Sequence, residues 1–420
     1  MTMTAPTDSR PAAAYRPVLR ALRRRRRLQA SLVQLVYVVA FFVLALLLVR
    51  IGGGPTIPAT TAVPMLFALA GGLVGFIGVV YSLLFLVVQW ASSTYSPRLN
   101  LFRDHPLVWH SFGFFVGTIV YCLISGLALG DETQVSIAVP SLAVLAILVS
   151  LALFQALQRH AFASIQLAPT LDAIAAHGRL VLGALYKTDC RADDQPGIEL
   201  PPAQMEVRWV EPPRVLQQID VPALVRLADE TDVVVVLLTG VGAQLVEQDV
   251  VVRIHGRGAG PSTAEVLRTL VSGPERTFDQ DPLLAFRLLV DIALRALSPA
   301  INDPTTAVQA LDAIDGLIRP LCMRDFDVGR VVGAEGDLRV VVPLPHWEDL
   351  VELIGAEITL AARDSPAVLR RLDKLLTGVL ELAPPARHPP VRDRLASVQR
   401  VRSRLEASIR RRDQHLDPAS

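Results

Sequence analysis

The chain has 420 residues, 51% of them hydrophobic, and a formal net charge of only +1. Its length allows two or three domains, and a mean hydropathy of +0.41 excludes an ordinary soluble protein but suits a chain that is partly embedded in a membrane. The near-neutral charge offers no bulk attraction for a polyanion, so no nucleic-acid partner is expected.

Residues 1–30 read as a basic cytoplasmic tail, with Arg16, Arg20 and the arginine run at 23–27. Residues 31–157 read as a transmembrane domain, because about 20 consecutive apolar residues cross a bilayer. Its spans lie at 31–51 (core 37–49), 63–90, 111–130 and 135–157, with no charge inside any of them. Arg50 ends the first span, where it can snorkel to the interface. A signal peptide also begins with a basic run, but this apolar stretch is long and no small-x-small cleavage site follows closely. The loop at 52–62 is uncharged, the next carries Arg98 and Arg103, the third only Asp131 and Glu132, and Arg159 follows the last span. That alternation predicts a multi-pass protein of the bacterial inner membrane with both termini cytoplasmic.

Small residues recur four apart at Gly71/Gly75, Gly113/Gly117 and Gly126/Gly130. Such pairs let helices approach closely in lipid, either within one bundle or between copies. The spans hold neutral hydroxyls such as Tyr81, Ser82, Tyr121, Ser125, Ser141 and Ser150. Without ionisable groups at mid-membrane a proton relay is disfavoured, whereas a passive pathway stays open.

Residues 158–205 read as a helical extension and a polar linker, and 206–345 as a cytoplasmic α/β domain. Strands are expected at 215–219, 232–238 and 250–254, with a helix from Val221 to about residue 230 after Asp220. The glycine loop at 256–260 lacks a dinucleotide or phosphate-loop spacing. Ser262 and Glu265 form a capping box that explains the following helix without a ligand. Residues 328–332 and 338–342 flank Gly333 and Gly336 as a hairpin. Residues 346–420 form a C-terminal helical region with helices at 347–361, 367–382 and 391–411. The last has apolar Val391, Leu395, Val398, Leu405 and Ile409 opposite an arginine-rich face, which suits a solvated bundle helix or anionic lipid.

Residues 275–305 are the most distinctive stretch. Its helix, 282–297, is apolar around most of its circumference, with one polar row of Arg287, Asp291 and Arg295 continued by Ser298. Asp281-Pro282, Asp303-Pro304 and Ser365-Pro366 read as helix caps followed by proline in the first turn. Asn302 sits in a turn where unusual dihedrals are tolerated. Glu275, Arg276 and Asp279 have no such role, and Asp279 is a candidate partner for Arg98 in the loop after the second span.

These motifs carry a resemblance. Trp90, Ser92, Ser93, Ser96, Pro97 and Arg98 form a W-x-S-S…S-P-R segment. Arg276, Thr277, Asp281 and Pro282 form R-T-x-x-x-D-P, and Leu297, Ser298, Pro299, Asn302, Asp303 and Pro304 form L-S-P-x-x-N-D-P. The chain resembles a bacterial family of predicted membrane proteins catalogued as a domain of unknown function. Ala300 departs from the glycine usual in that family. The resemblance implies topology more than activity.

The expected architecture is therefore a membrane α-helical bundle of four transmembrane helices followed by a cytoplasmic α/β domain. Cys122, Cys190 and Cys322 form no C-x-x-C pair, and the histidines include no H-E-x-x-H. No metal site, cofactor or catalytic residue is expected. The leading reading is a non-enzymatic homo-oligomer in the lipid bilayer, with a regulatory cytoplasmic domain and an ion pathway as one use. The alternatives are a membrane-tethered enzyme using Glu275, Asp279, Asp291 and Asp303, and a sensor or scaffold that recruits a partner.

Overall fold

The computed structural model describes residues 22–50, 54–94, 106–187 and 200–416. The chain divides into two compact units, one from Arg20 to Thr170 and the other from Leu171 onward.

The first unit is built from α1 (Leu22–Arg50), β1 (Thr56–Pro58), α2 (Ala59–Thr94), α3 (Pro106–Ala128), β2 (Gln134–Ser136) and α4 (Ala138–Ile165). Each helix holds a stretch long and apolar enough to cross a membrane: Leu32–Arg50, Ala59–Leu86, Leu107–Ala128 and Ala138–His160. At 1.5 Å per residue, about 20 residues make up the ~30 Å of a hydrocarbon core. The second and third helices begin a few residues earlier than hydropathy alone suggests, because Pro58 and Pro106 stand at their entrances. The loops after the first and third spans meet as a small antiparallel sheet, with Ile57 opposite Val135. Backbone bonds from Ala59 to Thr133 (3.2 Å) and from Ile137 to Pro55 (3.0 Å) close it. The uncharged and the acidic loop therefore share one end of this bundle, as the charge alternation requires.

The central helix is α3: 56% of its apolar stretch is buried, against 6% for that of α1. Its glycines allow this. The ring of Tyr37 lies over Gly113, that of Phe41 over Gly117 and that of Phe67 near Gly126, so a side chain at any of the three would collide with an aromatic ring. Two apolar clusters fill the bundle, one around Leu66, Tyr121 and Val139 and the other around Val80, Phe115 and Leu157. The Tyr121 hydroxyl is satisfied by donating to the Val139 carbonyl at 2.9 Å.

The second unit takes in α5 (Leu167–Leu185) from Leu171 on. It continues through β3 (Ala203–Arg208), β4 (Arg214–Ile219), α6 (Val221–Thr231), β5 (Val233–Leu237), β6 (Gln244–Leu245), β7 (Val250–Gly256), α7 (Thr263–Arg268) and β8 (Leu270–Gly273). It ends with α8 (Leu284–Ala296), α9 (Pro304–Ile318), β9 (Arg330–Val332), β10 (Leu338–Val341), α10 (Trp347–Ala361), α11 (Pro366–Leu382) and α12 (His388–Leu416). One sheet has the order β3-β7-β5-β10-β9, in which only β5 and β10 are parallel, and a second has the order β6-β4-β8. Both share a core that includes Val207, Leu216, Val235, Ile254 and Val340. The glycine loop is a connector: a Cβ on Gly256 would come within 3.2 Å of the Asp232 carbonyl, and Ser262 and Glu265 form the expected capping box.

Residues 346–420 lie in the same compact unit as the sheets. The reason is α8, whose buried residues need cover from α9 on one side and α10 on the other. Most of α5 belongs to this unit as well, and Gly178 lets it seat against Ala285 of α8 and Leu317 of α9. Residues 188–199 of the expected linker, with Cys190, lie outside the described residues.

Replacing Gly117 by leucine should destabilise the membrane bundle by about 1–3 kcal/mol, the usual cost of overpacking a filled core. Thermal unfolding of the full chain in detergent measures this, and an unchanged midpoint would show that α1 and α3 are not in contact at this level.

Candidate functional site

The distinctive segment 275–303 forms the entry to α8, the helix itself and the turn into α9. At its start Arg276 grips Asp281 with two hydrogen bonds, Nε to Oδ2 at 2.6 Å and a terminal nitrogen to Oδ1 at 2.8 Å. The Asp281 side chain is 1% exposed, so its charge is held by this guanidinium and by the Leu283 N–H, which donates to Oδ1 at 3.1 Å. Asp281 is thus not the cap of α8, which begins three residues later with Leu283 at its N-cap. The carboxylate turns back to Arg276 instead because a buried anion needs a countercharge more than a helix needs a cap.

The same segment is fastened to the sheet. The Gln217 amide donates to the Glu275 carbonyl at 2.6 Å. The Gln280 amide accepts from the Ile219 N–H at 2.9 Å and donates to its carbonyl at 3.1 Å, extending the end of β4 as a further strand would. Thr277 donates to Asp279 at 2.8 Å, and Phe278 lies 5.1 Å from the His177 ring of α5. Glu275 is exposed. Gly242 completes the clamp: its φ is +90°, and a Cβ there would lie 2.9 Å from the Arg276 guanidinium. Nothing in the sequence around Gly242 marks it, since its contact lies more than thirty residues away.

Along α8, Arg287 binds Asp291 at 2.9 Å and reaches Glu357 of α10 at 2.6 Å. The row including Arg295 is half-buried at a helix interface rather than solvated. The helix ends in a turn where Asn302 adopts φ +48° and the Asp303 N–H donates to Ala296 at 2.7 Å. Ser298 accepts from the N–H groups of Ile301 and Asn302 through its carbonyl. Asp303 caps α9, accepting from the backbone of Thr305 (3.0 Å) and Thr306 (3.1 Å) and from the Thr306 hydroxyl (2.6 Å). The Thr306 hydroxyl, followed by these N–H groups, holds the Asp303 carboxyl below its ordinary value. Ser365 occupies the cap position of α11 but makes no capping bond with its side chain.

A second cluster carried no sequence signal. Arg387 is buried, donating to the carbonyls of Cys322 (2.9 Å), Leu321 (3.2 Å) and Arg324. Its guanidinium lies 4.9 Å from the Phe326 ring and 5.3 Å from that of Trp347, and Tyr186 stacks on Phe326. Burial pushes the neighbouring Cys322 thiol up to about 11, which leaves it protonated and unreactive at neutral pH.

The carboxylates of 275–303 do not converge on a cavity. Asp281 faces Arg276, Asp279 faces Thr277, Asp291 faces Arg287 and Asp303 faces its own helix. Two open clefts, of about 530 and 300 Å³, are lined elsewhere, the first by Glu348, Glu352, Asp393 and Arg394 and the second by Asp220, Arg226, Glu230 and Arg268. Arg98 lies outside the described residues, and with it the pairing of Arg98 with Asp279.

The family described as "Predicted membrane protein (DUF2254)" matches residues 27–378. Uncharacterized protein Rv1290c of Mycobacterium tuberculosis (strain ATCC 25618 / H37Rv) is similar, with 30% identity over 361 residues, covering 81% of this chain and 68% of its own. Uncharacterized protein Mb1321c of Mycobacterium bovis shows the same identity and coverage. No solved structure matches.

Two predictions follow from this geometry. Arg276→Ala should cost about 3–5 kcal/mol, because it strands the buried Asp281 charge, whereas Arg276→Ala combined with Asp281→Leu should recover part of the loss. Chemical denaturation of the full chain reads both, and a single variant as stable as the parent would remove the clamp from the account. Asp303, its carboxyl held low, contributes stability that is complete above its unfolded value and is lost as pH falls through the lower folded value. Asp303→Ala should therefore lose about 1 kcal/mol at neutral pH, with the difference from the parent vanishing in acid. A difference that persists at pH 2 would contradict the cap.

Proposed function

The chain belongs to the DUF2254 family of predicted membrane proteins, and from that premise we propose a homo-oligomer of the bacterial cytoplasmic membrane whose second unit regulates its membrane bundle. The observation that carries this reading is the glycine face of α2. A Cβ built on Gly71, Gly75 or Gly78, as on Gly72 beside them, would meet nothing within 4 Å, whereas one on Gly113, Gly117 or Gly126 of α3 would meet an aromatic ring of the same bundle. Glycine costs a helix about 1 kcal/mol against alanine, so an unoccupied row of it calls for a close neighbour. A small-residue face of this kind fits a second copy of the same helix.

The reading places an ion pathway between copies. The bundle's own interior is filled, with Leu66, Phe115 and Tyr121 fully buried along α3 and its neighbours. Both termini are cytoplasmic in this reading, from the arginine-rich tail and the loop charges. Regulation runs through α5, which follows α4 after the single residue Gln166 and packs Gly178 and His177 against α8 and the clamp segment. The enzyme alternative has less support, since Asp279, Asp291 and Asp303 are each engaged by separate partners.

Purified in detergent, the parent should run as a multiple of its 45.6 kDa chain. Gly71→Leu with Gly75→Leu should reduce it to one chain while the bundle stays folded. A monomeric parent, or a variant of unchanged mass, overturns the interface. A periplasm-active reporter should be active after Gly54 and Glu132 and silent after Ser420, and the reverse pattern would reject the orientation.

A further inference from the structure

The last helix carries three exposed arginines that, among the described residues, form no ion pair within their own unit, although one of them, Arg400, lines the cleft of about 530 Å³ with Glu348, Asp349, Glu352 and Asp393. On α12, Val391 and Val398 are buried, and Arg402 turns to the same side, pairing with Asp373 of α11 at 3.0 Å. At about 100° per residue, Arg400, Arg404 and Arg411 fall within roughly 40° of one another on the opposite side. All three are exposed. Among the described residues none of them has a carboxylate within ion-pair distance, although Arg394 on the same helix is paired with Glu352 and Arg402 also with Glu406. Arginines near a helix C-terminus offset the helix dipole, which bears on Arg411 but not on Arg400 and Arg404, about four and three turns before the end of the helix.

The helix also outruns its support. Arg402 is level with Asp373, and Pro366 begins α11 seven residues before Asp373, so in this antiparallel pair α11 ends opposite Ile409. The remaining residues of α12, through Leu416, extend roughly 10 Å beyond it. Ile409, Arg410 and Arg411 are all exposed there.

We propose that the Arg400–Arg404–Arg411 face of α12 is a docking surface for the anionic headgroups of the bilayer in which the chain is embedded. A straight row of cations fits a planar sheet of anions, and a second copy of the same row would repel it. The helix has no Phe, Tyr or Trp on which a nucleic-acid base could stack. The spans tether α12 to the same membrane, so modest attraction is sufficient. Each arginine at an anionic leaflet favours the bound state by about fivefold at physiological salt, and the gain is screened within a Debye length as salt rises.

The test is hydrogen exchange of residues 399–411 in the full chain. It is reconstituted in nanodiscs of phosphatidylcholine alone or with 30% phosphatidylglycerol. In the anionic discs at 50 mM salt the segment should exchange at least threefold more slowly than in neutral discs, and the difference should vanish at 500 mM. Arg400→Glu with Arg404→Glu should abolish it, and Arg400→Gln with Arg404→Gln should reduce it, with α10 and α11 exchanging as in the parent. Equal exchange in the two kinds of disc overturns the proposal. So does slowing in detergent by inorganic phosphate, which assigns the face to a free anion, or by an RNA oligonucleotide, which assigns it to nucleic acid.

Discussion

A helix that is apolar around most of its circumference must be enclosed, and α8 imposes that condition on the whole second unit. Phe286, Leu288, Leu289 and Ile292 are buried on different sides of it, so no single neighbour can cover them. α9 and α10 flank it, α11 backs α9, and α12 closes over α10 and α11. Burying a large aliphatic or aromatic side chain contributes about 1.5–3 kcal/mol, so this one helix organises much of the unit's apolar burial. Its entry is fixed by charge: Asp281, placed where water cannot reach, ties the loop to Arg276 and leaves Gly242 as the residue that fits beside them.

The membrane unit meets a different constraint. Between apolar helices in lipid there is little hydrophobic drive, so closeness of approach decides which pairs hold together. α3 uses its glycines to receive rings from α1 and α2 and so becomes the centre of the bundle. The glycines of α2 are the same residue type at similar spacing, yet they stand open. Identical local chemistry thus serves intramolecular packing in one helix and presents a free face in the other.

Several arginines of the second unit hold its elements together. Arg371 spans Asp312 and Asp315, Arg339 spans Asp229 and Asp232, and Arg387 is held by carbonyls and rings. Arginine suits this because its planar fork bonds several acceptors at once and stays charged when partly buried. Asp279, Asp281, Asp291 and Asp303 are distributed along this framework, each bound to a different neighbour. Arg400, Arg404 and Arg411 of α12 contrast with them, since among the described residues none of the three has a carboxylate within ion-pair distance, whereas Arg394 and Arg402 of the same helix are paired.

The sequence by itself determined the features whose signals lie within a single element. Apolar length marked the four spans, valine runs marked β5 and β7, Ser262 with Glu265 marked the start of α7, and Asp303-Pro304 marked that of α9. Each of these depends on residues at most a helical turn or a span apart, so reading along the chain is enough. Tertiary structure alone decided the pairings. Asp281 resembles Asp303 in sequence, both preceding proline, yet one is clamped by Arg276 and the other caps a helix. Arg287 finds Glu357 seventy residues further on, and Arg387 finds its acceptors more than sixty residues earlier. Which glycine pair is filled and which is open was equally invisible. The physical reason is common to all of them: a local period states which face of an element is apolar or charged, but the partner of that face depends on which elements approach it and how closely.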